Sequence, residues 1–320
     1  GVPTLRQSLA TKTATFYNIP VDADSEVTIV SGATEALFAA IHCCVSPGDE
    51  VIMFDPSYDA YDPIVRLAGG IPIHIPLKAS NNFAIDWSSV AAKITPRTRA
   101  IMVNSPHNPT GAVWSMADLD AFAQVVKGTN ILIVSDEVYE HIVFDGAQHA
   151  SVLLHPELRK RSFVCGSFGK TYHITGWKIG YCIAPAFLTA EFRKLHQWVT
   201  FSSATPLQYA LADYLKEPAH YLGLSDFYQK KRDLFASQFV GSRWKILPSA
   251  GSFFQCLDYS AISNEKDVDL ADRLTREIKV ASIPVSVFYE TDPGDKILRF
   301  CFAKEDEVLV EAAKRLVNAF

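Results

Sequence analysis

Residues 167–178 read Ser-Phe-Gly-Lys-Thr-Tyr-His-Ile-Thr-Gly-Trp-Lys. Lys170 is framed by small and hydroxylated residues, and a second lysine, Lys178, follows eight positions on. A primary amine condenses with an aldehyde to form a Schiff base, so a lysine in such a loop suits a cofactor that carries a carbonyl. Ser167 and Lys178 would hold a phosphate on the same molecule. In isolation the run also fits a surface loop whose lysine is only a charge, and its surroundings must decide.

Outward from that loop, the chain alternates apolar strands with helix-period segments. Ser162–Gly166 and Trp177–Ile183 flank the loop as strands. Upstream, Val27–Val30, Val51–Phe54, Ile71–Leu77, Arg99–Asn104 and Ile131–Ser135 read as strands. Between them, Ala33–Cys44, Tyr58–Leu67, a segment capped by Asp86 and running through Ile94, and one beginning near Met116 read as helices. Such alternation predicts crossover units and a mainly parallel sheet covered on both faces. After Pro185 the pattern changes. Phe187–Val199, Thr205–Lys216 and Tyr221–Phe239 are helical by period, the last long enough to bridge two domains. Strands at Phe253–Asp258, Ser282–Phe288 and Lys296–Phe302 then mix with helices at Val268–Ile278 and Glu305–Val317. The expected fold class is therefore α/β, with a large domain over residues 27–200 and a smaller α+β domain over 201–320. Residues 1–26 read as a helix and loop leading into the first strand.

Composition narrows the function. The 320 residues are 48% hydrophobic and 20% charged, which suits a globular protein with a real core. A net charge of -5 with no basic run argues against nucleic-acid or membrane-surface binding. Six cysteines lack metal-ligand or disulfide spacing and predict buried, reduced thiols in a cytoplasmic protein with no metal site. No stretch has the length of a membrane span or the form of a secretory leader.

Other segments carry chemistry of their own. Ser31-Gly32-Ala33-Thr34-Glu35 lies between a strand and a helix, where free N–H groups and a close-approach glycine form an anion site; a plain helix cap is the competing reading. Asp136 closes an apolar strand in Ser135-Asp136-Glu137-Val138-Tyr139-Glu140, the place where α/β sheets put ligand sites; a helix cap is the competing reading. Arg299 is the one charge in the apolar strand Ile297–Phe302, and burying it is costly unless an anion meets it. That anion is either a ligand or a neighbouring acid. Asp55-Pro56-Ser57-Tyr58-Asp59-Ala60-Tyr61 and Asn104-Ser105-Pro106-His107-Asn108-Pro109-Thr110-Gly111 read by themselves as a loop with a core tyrosine, Tyr58, and as a turn.

Together these motifs, in this order, resemble the class I and II aminotransferases that use pyridoxal 5'-phosphate (PLP). Residues 168–182, FGKTYHITGWKIGYC, are most similar to methionine-preferring bacterial members. The wider likeness is to the branch with the kynurenine and glutamine-phenylpyruvate enzymes. The resemblance covers the chain from about Val27 to its end and implies a two-domain fold type I protein and a homodimer. It implies that Lys170 binds PLP through its amine and later shuttles a proton. Gly32, Ala33, Thr34, Ser167 and Lys178 would hold the phosphate, and Tyr58 would lie against the ring. Asp136 would pair with the ring nitrogen, while Asn108 and Tyr139 would share the phenolic oxygen. Arg299, with Asn108, would hold the substrate carboxylate. Amino groups would pass from methionine or an aromatic amino acid to a 2-oxo acid, because Ile283–Tyr289 is apolar and no second arginine is placed for a dicarboxylic substrate. A cysteine-conjugate β-lyase would use the same residues, and an aminotransferase-like sensor domain is the non-enzymatic alternative. Relatives also carry an earlier segment with a substrate-touching glycine loop and a tyrosine that reaches the partner's phosphate. Nothing before Val27 matches it, so the chain reads as shortened at its start.

Overall fold

Apolar side chains on both faces of the central strands determine the layering. A computed structural model describes all 320 residues. Seven strands form one sheet: β1 (Val27–Val30), β2 (Glu50–Asp55), β3 (Ile71–Pro76), β4 (Thr98–Asn104), β5 (Leu132–Asp136), β6 (Ser162–Ser167) and β7 (Gly180–Ile183), in the order β1-β7-β6-β5-β4-β2-β3. In β4, Ile101 and Val103 join one apolar cluster, and Ala100 and Met102 join another on the opposite face. The period of two thus buries both sides, and helices must cover each. Helix α2 (Ala33–His42) covers one side with Ala36, Leu37, Ala40 and Ile41.

β3, β2, β4, β5 and β6 pair in parallel. β7 runs antiparallel to both β6 and β1. The link from β6 to β7 contains only one turn of helix (Phe168–Thr171) and a 3₁₀ turn (Thr175–Trp177), not a crossover that would return the chain in parallel. Gly180 is needed at the start of β7. A Cβ there would stand 2.7 Å from Ala33 N, so no larger residue lets the start of α2 approach this strand.

The C-terminal part carries a second, antiparallel sheet: β8 (Lys245–Ile246), β9 (Phe254–Asp258), β10 (Ile283–Pro284) and β11 (Ile297–Cys301), in the order β10-β11-β9-β8. Its Cys256, Leu298 and Phe300 belong to the same apolar cluster as Ile101 and Val103 of the large sheet. Helix α1 (Pro3–Tyr17) precedes β1 as expected and buries Leu5 and Leu9.

Three expectations change. The long helix over 221–239 is two, Ala219–Leu222 and Leu224–Ser237, broken at Gly223, whose missing side chain weakens helix continuity. The strand over 282–288 shrinks to two residues because Ser286–Phe288 turns into a 3₁₀ helix held by Asp267, which accepts from Ser286 N at 2.8 Å. Of the six free cysteines four are buried, but Cys43 is half-buried at the end of α2 and Cys301 is exposed at the end of β11.

Candidate active site

The carboxyl ends of β1, β2, β4, β5 and β6 converge on a cavity of about 610 Å³, closed on its other side by Phe254, Ile283, Val287, Phe288 and Arg299 from the second sheet and its loops. This is where a doubly wound sheet places its ligand. Lys170 stands on the single helical turn after β6, half-buried. Its ammonium lies 5.5 Å from the Phe253 ring centre and 5.9 Å from that of Tyr139. Burial draws the amine below the ordinary lysine range, against the pull of Asp136. More of it is therefore neutral, and nucleophilic, than in water.

Asp136 ends β5 and is buried. Its Oδ2 accepts from the Tyr61 hydroxyl at 2.7 Å and its Oδ1 from Val138 N at 3.2 Å. Burial outweighs these bonds and pushes the carboxyl up to about 6. Asn104 Nδ2 donates to the Asp136 carbonyl at 2.9 Å, and Asn104 Oδ1 accepts from Asn108 N at 2.8 Å, so the ends of β4 and β5 and the Asn108 turn are locked together. Tyr139 is buried against the Phe253 edge, ring centres 5.0 Å apart, and borders the cavity.

Opposite lies the start of α2, faced by Lys178. Gly32 caps α2 with φ +80°, a conformation that favours glycine, and no side chain caps this helix start. The plain-cap reading of Ser31–Glu35 is thereby set aside; Glu35 instead reaches back to accept from Ser31 N. Lys178 Nζ would lie 3.3 Å from a Cβ placed on Gly32, so a cation faces the open N–H groups of the helix start. Lys178 itself adopts a left-handed conformation (φ 54°), which turns the loop back toward α2.

Arg299 decides between its two readings. Its guanidinium lies 4.1 Å from the Phe254 ring centre and 5.1 Å from that of Phe288. Its Nη1 donates to Asn108 Oδ1 at 2.6 Å, and no carboxylate of the chain stands within 4.0 Å. The structural ion pair is therefore absent, and the cation faces the cavity. Asn108, bound through its oxygen, keeps its amide N–H groups to donate.

All the residues singled out from sequence line this one cavity: Gly32, Ala33, Thr34, Tyr58, Asn108, Asp136, Tyr139, Ser167, Lys170, Lys178 and Arg299. Sequence reading missed Tyr61 and Phe254; Phe288 falls in the apolar run 283–289 read as a pocket wall, but its contact with Arg299 was not foreseen. No local signal marks Tyr61 or Phe254, because each acts through a neighbouring element: Tyr61 bonds Asp136 at the end of β5, and Phe254 lies on the strand paired with that of Arg299. The second wall is tied on by Ser57 N donating to Phe288 O at 2.8 Å, Glu290 N to Asp55 Oδ2 at 2.9 Å and Tyr289 OH to Leu77 O at 3.0 Å.

Residues 1–316 match the family model for aminotransferase class I and II. The chain is 51% identical to methionine aminotransferase of Escherichia coli over 99% of its length and 82% of that protein. The crystal structure of the E. coli protein YbdL, identified there with a methionine aminotransferase function, superposes with a TM-score of 0.97 and covers 84% of that chain. N-succinyldiaminopimelate aminotransferase from Mycobacterium tuberculosis is 35% identical with a TM-score of 0.96, over 100% of this chain and 84% of that one. Kynurenine–oxoglutarate transaminase 3 of the rat is 33% identical over 100% of this chain and 77% of that protein. The chain thus belongs to the class I and II aminotransferases, with their fold type I architecture and transaminase activity.

Proposed function

We propose that the chain is a PLP-dependent aminotransferase that takes the amino group from methionine or an aromatic amino acid and passes it to a 2-oxo acid. The observation that carries this reading is one cavity holding a half-buried lysine amine, a strand-end carboxylate and an arginine without a carboxylate partner. That donor set fits a flat cofactor with an aldehyde, a ring nitrogen and a phosphate, together with a substrate carboxylate. When bound, PLP supplies an aldehyde that condenses with amines and a protonated ring that withdraws electrons from the substrate α-carbon.

The chain's own groups do the rest. Lys170 Nζ would anchor the cofactor and, once displaced by the substrate amine, would shuttle a proton between the substrate α-carbon and the cofactor's aldehyde carbon. Asp136 holds the proton at the ring nitrogen, with Tyr61 fixing the carboxylate. Asn108 and Tyr139 bind the phenolic oxygen, and Tyr58 supports the ring face. Lys178, Ser167 and the start of α2 (Gly32, Ala33, Thr34) bind the phosphate. Arg299, braced by Phe254 and Phe288, binds the substrate α-carboxylate. Methionine is favoured by the 51%-identical relative and by the apolar walls Leu37, Ile283, Val287 and Phe288. Exposed Trp198, Val199 and Phe201, clustered in one short stretch, support a homodimer, and the spacing of the cysteines supports a cytoplasmic location. No helix is long and apolar enough to cross a membrane.

The test is direct. PLP-loaded protein given methionine or phenylalanine with a 2-oxo acid acceptor should release the matching 2-oxo acid. Release of pyruvate and ammonia from a cysteine conjugate, with no transfer to an acceptor, would show β-elimination instead.

A further inference from the structure

Three cations line the cavity: Lys170, Lys178 and Arg299. In the reading above, each is committed to the cofactor or to the substrate α-carboxylate. Besides Asp136, the lining contains one other carboxylate, Asp59. It follows Tyr58 in the loop after β2, is exposed, and has no hydrogen bond or ion pair within the chain. Its charge is felt inside the site. It reinforces burial in raising the Tyr58 phenol, and it is among the charges that favour the cationic form of Arg299.

We propose that Asp59 is a specificity-determining residue that turns away side chains bearing a second negative charge, in the amino donor and in the amino acceptor alike. This rests on the aminotransferase reading of the site and names the substrate class it takes. With its α-carboxylate on Arg299, a substrate extends its side chain among Leu37, Ile283, Val287 and Phe288. A neutral chain gains apolar contact there. A distal carboxylate would lose water, find no free cation, and meet the field of an uncompensated like charge. Donor and acceptor occupy the same cavity in turn, so the barrier applies to both half-reactions. The amino acceptor is therefore a monocarboxylic 2-oxo acid, and the reaction exchanges amino groups between neutral side chains. A separate transaminase acting on dicarboxylic acids would have to supply net nitrogen.

Glutamine and glutamate differ by an amide against a carboxylate at nearly constant size, so they isolate the charge. With PLP-loaded protein, kcat/KM for glutamine should exceed that for glutamate. D59N should narrow this ratio by roughly five- to tenfold, the size expected for one like charge across a half-open cleft. The change should appear in the KM for glutamate, because repulsion acts on the ground state and the transition state together. D59E should keep the native ratio. The ratio of monocarboxylic to dicarboxylic 2-oxo acid acceptors should narrow in parallel. A protein that transaminates methionine, yet shows the same glutamine-to-glutamate ratio in D59N as in the native form, overturns the role of Asp59 alone. A native protein that transfers no amino group from any of these donors overturns the aminotransferase reading, and this inference with it.

Discussion

The cavity has two walls made in different ways. On the large-sheet side, groups sit at strand ends and are fixed by short polar bonds: Tyr61 to Asp136, Asn104 to the Asp136 carbonyl and to Asn108 N. On the other side, residues 283–290 form a two-residue strand and a 3₁₀ turn, with Val287 55% exposed. Residues 283–290 make three hydrogen bonds to the first wall, and Arg299 adds a fourth to Asn108; the rest of the lining there is apolar. A rigid polar wall suits chemistry shared by every substrate, since strand ends place atoms well. A loop wall suits selection between side chains, since it changes without disturbing the sheet.

The comparison breaks first at Lys170. K170A should lower turnover by about a thousandfold or more while leaving the circular dichroism spectrum unchanged. Retained turnover would remove the chemical wall from the account. R299K should raise the amino-acid KM roughly ten- to hundredfold, because an ammonium cannot reproduce a two-pronged, charge-assisted contact. Its cofactor affinity should stay native, as measured by PLP titration. An unchanged KM would make Arg299 a structural residue.

A pH series sharpens the same wall. Burial raises the Asp136 carboxyl to about 6, so in the cofactor-free protein it takes up a proton as pH falls through that value. A neutral carboxyl no longer stabilises a cationic ring nitrogen, and PLP affinity should fall between about pH 7 and pH 5. In D136N the affinity should be weaker, and the part of the pH dependence due to this carboxyl should be lost. The smallest effect belongs to the second wall. V287A should weaken methionine by about threefold in kcat/KM with no change in PLP binding, consistent with the loss of a little apolar contact. Loss of PLP from V287A would show that the walls do not divide the work.

The difference between the walls also governs what the sequence makes legible. Strand-end groups lie in short segments where residue type and secondary structure coincide, so Lys170, Lys178 and Asp136 stand out as candidates from the sequence, while Asn108 is a candidate only through the family resemblance. Alternating apolar strands likewise announced the parallel sheet. Tyr61 and Phe254 escaped because each acts on a residue far away in the chain, Asp136 and Arg299 respectively. Residues 282–288 were misread as a full strand because an apolar run looks the same in a strand and in a 3₁₀ turn; the Asp267 contact that bends it lies some twenty positions upstream. Gly223 similarly broke a helix whose period runs through it. The fate of Arg299 could not be read from its strand, since only the packed structure shows which acids fail to reach it.

The most direct measurement is the visible absorption of the PLP-loaded protein before and after methionine is added without acceptor, followed by borohydride treatment and peptide mapping. The account predicts a yellow protein that bleaches with methionine. Without methionine, borohydride should fix the cofactor's mass on the peptide containing Lys170. A protein that stays colourless with added PLP, or that fixes the cofactor on a different lysine, would contradict it.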